Sequence, residues 1–429
     1  MKTINKPTVS LDPGDTFTWP IITFEEEEAV LDVLRRGAMS AKDVTMQFEE
    51  EYARWQGNQY ALGFNNGTSA LQTAMWAAGI RAGDEIISQS VTYWATILPC
   101  LSLGATPVFA EIDPDTLTID PNDIEHRITE RTNAIVVQHN CGYPTDMDPI
   151  MVLAKKHDLK VIEDIAHAQG SLYKGRKVGT FGDVSGLSLM SQKSLVAGEG
   201  GMLTTDDKDI YERAIAWGHY TRFRDKIDSE ALRPYRGLPL GGYKYRMHQL
   251  SAAVGRVQLK YYDERCREIR KAMNYFWDLM ERVPGVKAHR PSKESNCTMG
   301  GWYNAMGLYR PEELDGLSVT AYVNALKDEG VVAGSGINRP LHRHPLFRTC
   351  DIYGHGKPTV IAFQDRKKVK VPSLPISEAV HGRCIHPPRF KKYNPEVIEQ
   401  YAEAFKKVSN NYKELLKTDP GNPPDFGSW

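Results

Sequence analysis

Lys160-Val161-Ile162-Glu163-Asp164-Ile165-Ala166-His167 is the stretch whose reading decides the fold. A short apolar run closed by two acids is too brief for a helix and suits a strand buried on both faces. Six further runs of this kind lie on either side: Tyr60–Phe64, Glu85–Ser88, Pro107–Ala110, Ala134–Val137, Val184–Leu189 and Gly201–Thr204. Helical stretches separate many of them, at Ala70–Ala78, Trp94–Leu103 and Ile150–His157. Strands alternating with helices predict an α/β architecture, with a mostly parallel seven-stranded sheet between helical layers.

The flanks read differently. Thr23 can cap a helix whose first turn carries Glu25 to Glu28 and whose last carries Arg35 and Arg36, an order that suits the helix dipole. A second helix near Met46–Trp55 places Phe48, Tyr52 and Trp55 on one face and ends at Gly57. Met247–Met280 reads as long helix, with Leu250, Val254, Val257, Leu259 and Tyr261 as buried positions. Beyond Val283, Pro and Gly become frequent and the pattern less regular. The expected organisation is an N-terminal arm (1–22), a large domain (23–260), a smaller C-terminal α+β domain (261–418) and a tail (419–429). The tail is Pro- and Gly-rich, as an extended arm or a disordered segment would be.

Composition narrows the partners. The 429 residues carry 53 Lys and Arg against 54 Asp and Glu, a balance that gives no electrostatic reason to expect nucleic acid or an anionic membrane. No apolar run reaches spanning length, and the first residues lack a signal-peptide core. The six cysteines are scattered without CxxC spacing, so neither a disulfide framework nor a metal site is expected, and the cytoplasm is the simplest home.

In an open parallel sheet, ligands collect beyond the carboxyl ends of the strands. Asn66-Gly67-Thr68-Ser69 follows the first strand and opens a helix, which suits either a phosphate or a plain cap. Thr92-Tyr93-Trp94 follows the second. Asp164 ends the fifth, where an acid can be a catalytic group, a ligand or a cap; His167 stands three residues on. Ser188 lies near the end of the sixth and Lys193 follows it, ahead of the turn Gly198-Glu199-Gly200-Gly201. A lysine is ordinarily a solvated charge. Buried near a cationic group, its pKa falls and the amine can form an imine and carry a proton.

In that order and spacing, these residues resemble the DegT/StrS sugar aminotransferases, fold-type I enzymes that use pyridoxal phosphate on keto-sugars and keto-cyclitols. The resemblance runs from Trp19 to Phe390 and includes Asn66-Gly67-Thr68-Ser69-Ala70-Leu71, Gly83-Asp84-Glu85-Ile86-Ile87, Gly104-Ala105-Thr106-Pro107-Val108-Phe109, Glu163-Asp164-Ile165-Ala166-His167 and Gly198-Glu199-Gly200-Gly201. It implies that Lys193 carries the cofactor as a Schiff base and that Asp164 pairs with the pyridine nitrogen. Tyr93 stacks on the ring, and His167 faces its phenolic oxygen. Gly67, Thr68, Ser69 and Ser188 bind the phosphate. It also implies a homodimer with shared active sites, in which a partner-subunit Asn reaches the phosphate; here Lys244 replaces that Asn in Gly242-Tyr243-Lys244-Tyr245-Arg246.

The segments Phe17-Thr18-Trp19-Pro20, Pro340–Phe347, Pro375-Ile376-Ser377-Glu378 and Cys384-Ile385-His386 resemble the glutamine:scyllo-inosose type. The implied reaction moves an amino group from glutamine or glutamate to the ketone of a keto-cyclitol or keto-sugar. A nucleotide-sugar aminotransferase of the same family is the alternative, and a non-catalytic pyridoxal-phosphate sensor a further one. Lys193 argues against relatives that carry histidine there and dehydrate. His342 lines the substrate mouth in this reading, or else is an interface or surface residue. Arg222 and Arg224, in His219–Arg224, either hold an anionic group of substrate or donor or are solvated.

Overall fold

The computed structural model describes residues 7–224 and 227–423. The large domain is built on β1 (Tyr60–Phe64), β2 (Glu85–Gln89), β3 (Thr106–Ala110), β4 (Thr132–Gln138), β5 (Lys160–Asp164), a small hairpin β6–β7 (Leu172–Tyr173 and Arg176–Lys177), β8 (Val184–Ser188) and β9 (Gly201–Thr205). All but the hairpin form one seven-stranded sheet in the order β1-β9-β8-β5-β4-β2-β3. Neighbours from β8 to β3 run parallel, and β9 runs antiparallel between β8 and β1. Alternate residues feed two cores. Ile135, Val137, Val161 and Leu187 pack on one face, and Ala134, Val136, Ile162 and Val184 on the other. Burial on both faces is why these strands read as near-continuous apolar runs.

Helices α1 (Phe24–Arg35), α2 (Asp43–Gln56), α3 (Gly67–Ala77), α4 (Pro121–Arg127), α5 (Met147–His157), α6 (Lys208–Gly218) and the short α7 (Tyr220–Phe223) belong to the same domain. The expected cap on α1 is a complete capping box: Thr23 and Glu26 each receive the other's backbone N–H. Trp94–Leu103, expected as one helix, is two 3₁₀ turns instead, Trp94–Thr96 and Leu98–Leu103. Pro99 in the second removes a backbone donor that a continuous α-helix would need.

The 31-residue helix α8 (Gln249–Leu279) runs from one core to another, with Ala252, Leu259 and Cys266 in the first and Ile269, Met273 and Trp277 in the second. Its inner face is not the one the large aliphatics suggest. Ala252, Ala253, Gly255, Gln258 and Leu259 are buried, whereas Leu250, Val254, Val257 and Tyr261 are half-buried. Small residues win because α2 comes very close: a Cβ at Gly255 would lie 2.6 Å from the Phe48 ring.

The small domain carries a second, antiparallel sheet of β10 (Val286–Ala288), β11 (Gly307–Tyr309), β12 (Gly334–Ser335) and β13 (Cys384–His386), in the order β10-β11-β13-β12. Helices α9 (Val319–Asp328), α10 (Pro375–Ala379), α11 (Pro395–Asn410) and α12 (Tyr412–Leu416) accompany it. The N-terminal arm joins this domain: Phe17 and Trp19 pack on its core, and Val9 N–H donates to Glu329 O. The start of the tail is tied down as well. Asp419 accepts from the N–H of Ser318 (2.7 Å), the cap of α9, and Asn422 accepts from Thr320. Residues 424–429 lie outside the described ones.

Candidate active site

Parallel register brings the chemistry together at the carboxyl ends of β4, β5 and β8. Asp164 ends β5, with Gln138 of β4 on one side and Gly186 of β8 on the other. Its carboxyl is buried (2% exposed), lies 2.7 Å from the Thr96 hydroxyl and accepts from the Ala166 N–H (2.9 Å). Burial pushes its pKa up; these hydrogen bonds and the charges of Lys193 and His139 oppose that rise. Behind it, Glu163 is the structural acid. It holds His139 Nε2 at 3.0 Å and accepts three loop N–H groups, from Gly179, Phe181 and Gly182.

Lys193 sits in the loop between β8 and β9, 7% exposed. Burial pushes its amine down to about 8, held from falling further by Asp164. The loop is pinned from three sides. Gln169 donates to Ser188 O (2.7 Å) and accepts from Leu195 N–H (2.6 Å), clamping both ends. Lys193 N–H donates to Met190 O (2.8 Å). The indole N–H of Trp19, from the N-terminal arm, donates to Lys193 O (2.8 Å). Lys193 Nζ rests 4.1 Å from the centre of the Tyr303 ring, which also lies 4.6 Å from the His167 ring.

His167 is buried, and burial together with Lys193 pushes its pKa well below the usual histidine value, so the ring is neutral. Its Nδ1 accepts from Cys141 N–H (3.4 Å), which leaves the ring proton on Nε2. Asn66 caps α3 through Ser69 N–H and Oγ (2.8 and 3.0 Å). The first turn of a helix has N–H groups without intrahelical acceptors. Gly67 presses this turn onto the end of β8: a Cβ there would stand 2.7 Å from Ser188 Cβ and 2.8 Å from its Cα. Tyr93 stays 41% exposed, its ring 5.0 Å from that of Trp94. Lys244 is exposed, in a segment that runs antiparallel past the end of β1, where Asn65 N–H donates to Tyr245 O (2.8 Å).

Two of the three expected substrate contacts, Arg222 and His342, are held by other side chains. Arg222 is buried in an ion pair with Glu49 (2.6 Å), whose other oxygen accepts Gly63 N–H (2.6 Å). His219 Nε2–H donates to Gly63 O (2.9 Å), so His219 and Arg222 together brace β1. Arg224 is exposed. His342 is neither surface nor free. Its Nδ1 meets Ser90 Oγ (2.7 Å) and its Nε2 meets Glu378 (3.0 Å), so both ring nitrogens are engaged. The reading from sequence missed Thr96, Gln169, Tyr303 and Trp19. Only Gln169 carried a local signal, two residues beyond His167 at the end of β5.

The residues fit pyridoxal phosphate: a buried neutralisable amine, a buried acid, a histidine N–H and an open helix start lie around one point. A doubly wound sheet of this kind is the architecture of the fold-type I enzymes, aminotransferases among them. The chain belongs to the DegT/DnrJ/EryC1/StrS aminotransferase family, whose pattern matches residues 20–406. It is 35% identical to the GDP-perosamine synthase of Escherichia coli O157:H7, over 90% of this chain and 96% of that one. It is 31% identical to a putative L-glutamine:3-amino-2,3-dideoxy-scyllo-inosose aminotransferase of Micromonospora echinospora, over 93% and 95%. Among solved structures, an aminotransferase from Psychrobacter cryohalolentis superposes with a TM-score of 0.79 at 30% identity, covering 92% of this chain and 99% of that one. Among the described residues no helix is long and apolar enough to cross a membrane.

Proposed function

We propose that this aminotransferase uses pyridoxal phosphate to move an amino group from glutamine or glutamate onto the ketone of a keto-cyclitol or keto-sugar. The observation that carries this reading is the buried Lys193 amine, brought down to about 8 beside the buried Asp164 carboxyl. Bound there, pyridoxal phosphate supplies an electron sink for a substrate carbanion. Lys193 offers the amine that holds the cofactor and, once released, moves a proton at the reacting carbon. The Tyr303 face receives that amine as an ammonium. Asp164 places a carboxylate against the pyridine nitrogen, and His167 offers Nε2–H to the phenolic oxygen. Gly67 and Thr68 offer their N–H groups, and Thr68 its hydroxyl, to the phosphate, with Ser188 beside them, whereas Ser69, expected to join them, has its N–H and Oγ held by Asn66. Tyr93 covers the ring face, and Lys244 comes from a second copy of the chain in a cytoplasmic homodimer.

The cyclitol choice rests on the C-terminal segments around His342, Glu378 and His386, which resemble the scyllo-inosose type. The nucleotide-sugar reading is supported by the GDP-perosamine synthase relative. A half-reaction separates them. The enzyme is loaded with glutamine or glutamate, the change in cofactor absorbance is confirmed, and scyllo-inosose, other keto-cyclitols, keto-sugar phosphates and nucleotide-linked keto-sugars are added in turn. Return of the absorbance with keto-cyclitols supports the proposal. Return with nucleotide-linked sugars alone replaces it by the second reading. Return only with a simple 2-oxo acid removes the sugar class altogether.

A further inference from the structure

The row of hydroxyls behind Asp164 contains a proton count that does not close. Thr96 Oγ1 lies 2.7 Å from Asp164 Oδ2, Thr92 Oγ1 lies 2.8 Å from Thr96 Oγ1, and Gln138 Oε1 lies 2.6 Å from Thr92 Oγ1. All four side chains are buried. Each hydroxyl has one proton to give, so three contacts among two hydroxyls need one more donor, at one end or the other.

If Asp164 is ionised, Thr96 donates to it, Thr92 donates to Thr96, and Gln138 must supply the last proton through its amide nitrogen. If Gln138 meets Thr92 with its oxygen, Thr92 donates to Gln138, Thr96 donates to Thr92, and Asp164 must be the protonated donor. The amide oxygen faces Thr92, and the amide nitrogen is buried without a partner. A half-turn of the amide exchanges the two atoms and reverses the row.

We propose that Gln138 is a positioning residue that sets the charge of Asp164 by fixing the direction in which the Thr92 and Thr96 hydroxyls donate. Turning its nitrogen toward Thr92 lets Asp164 release one proton to solvent, because the amide N–H takes over as the extra donor. Both hydroxyls rotate, and no other proton is gained or lost. Gln138 and Asp164 are register partners on adjacent strands, so the row bridges two neighbours that do not bond directly. The charged groups acting on Asp164 besides this row are Lys193, from the loop after β8, and His139, after β4 and itself paired with Glu163. The inference deepens the assignment of Asp164 to the pyridine nitrogen and rests on it for its use. The row itself is testable without cofactor.

The test is an infrared pH titration of the full-length chain before pyridoxal phosphate is added. The Asp164 carboxyl band is the one absent from Asp164→Asn. In Gln138→Glu an ionised carboxylate can only accept from Thr92. That favours protonated Asp164, and the midpoint rises by about one pH unit, tenfold, or more. In Thr92→Val the shift has the opposite sign. Protonated Asp164 would leave the Thr96 proton without an acceptor, and a buried orphan donor is the rarer defect. Thr92→Ser restores the wild-type midpoint. In the Thr92→Val background, Gln138→Glu no longer raises it. An equal rise in both backgrounds would mean that the new charge acts through space, and the proposal falls. Should Gln138→Glu fail to fold, the Thr92 pair decides: a lowered midpoint in Val restored in Ser supports the row, and one midpoint in all three proteins overturns it. A failure here leaves the substrate reading intact, and a failed half-reaction leaves this one intact.

Discussion

Gly67→Ala adds a single methyl at the start of α3. Its Cβ would lie 2.7 Å from Ser188 Cβ, 2.8 Å from Ser188 Cα and 3.0 Å from Ser188 N. Carbon atoms settle at about 3.5–4.0 Å, so the turn and the end of β8 must separate by roughly 1 Å. Ser188 cannot swing aside, because two of these three atoms are backbone. The strain of such overpacking is about 1–3 kcal/mol. Alanine in a helix offsets up to about 1 kcal/mol of it relative to glycine. Function should suffer more than stability, since displacing a binding group by 1 Å can cost about 100-fold. Titration with pyridoxal phosphate, followed by absorbance, should show affinity weakened by about 10- to 100-fold, with Tm lowered by a few degrees. A variant that binds the cofactor within threefold of wild type would refute the placement of the phosphate between α3 and β8.

Asp164→Asn should retain the cofactor but slow proton abstraction by roughly 100- to 1,000-fold, as about 3–4 kcal/mol of charge stabilisation is lost; a few-fold change would argue against the pairing. The same substitution removes the charge that holds the Lys193 amine up, so the pH at which the cofactor attaches should fall from about 8, attachment needing the neutral amine that accumulates as pH rises through that value. Arg222→Met should lower unfolding free energy by about 3–5 kcal/mol, because Glu49 is left buried and uncompensated, while turnover per folded molecule is little changed; denaturant titration with a parallel activity assay checks both, and a stable but inactive variant would restore Arg222 to the site. Given a Lys244→Ala protein that is itself impaired, mixing it with Lys193→Ala should recover activity in heterodimers, where one site carries both defects and the other neither; proven heterodimers without recovery would contradict shared sites.

All seven strands of the large sheet lie within two residues of where apolar runs bounded by polar residues place them. Lys193 and Asp164 were legible for the same reason: Asp164 closes one strand, Lys193 lies in the loop after another, and the sheet aligns strand ends. Less legible was whatever depends on a partner far along the chain. Arg222 resembles a solvated arginine until Glu49, 173 residues away, is brought against it. Trp19 reaches Lys193 across 174 residues, from an arm that offers no periodic signal. The inner face of α8 was misread because burial there follows how closely α2 approaches, which favours Gly255 over Val254. Thr92, Thr96 and Gln138 are ordinary polar residues individually and form a row only once β2 and β4 are paired, with Asp164 of β5 beside Gln138.

The most direct test of the central claim is to trap the cofactor on the chain. Pyridoxal phosphate is added to the protein, the imine is reduced with borohydride, and the digest is read by mass spectrometry. The account predicts one reduced pyridoxyl-phosphate group per chain, on the peptide containing Lys193, with none on that peptide's counterpart from Lys193→Ala. Stoichiometric label on another buried lysine, such as Lys391, whose amine burial also pushes down to about 7, would contradict it.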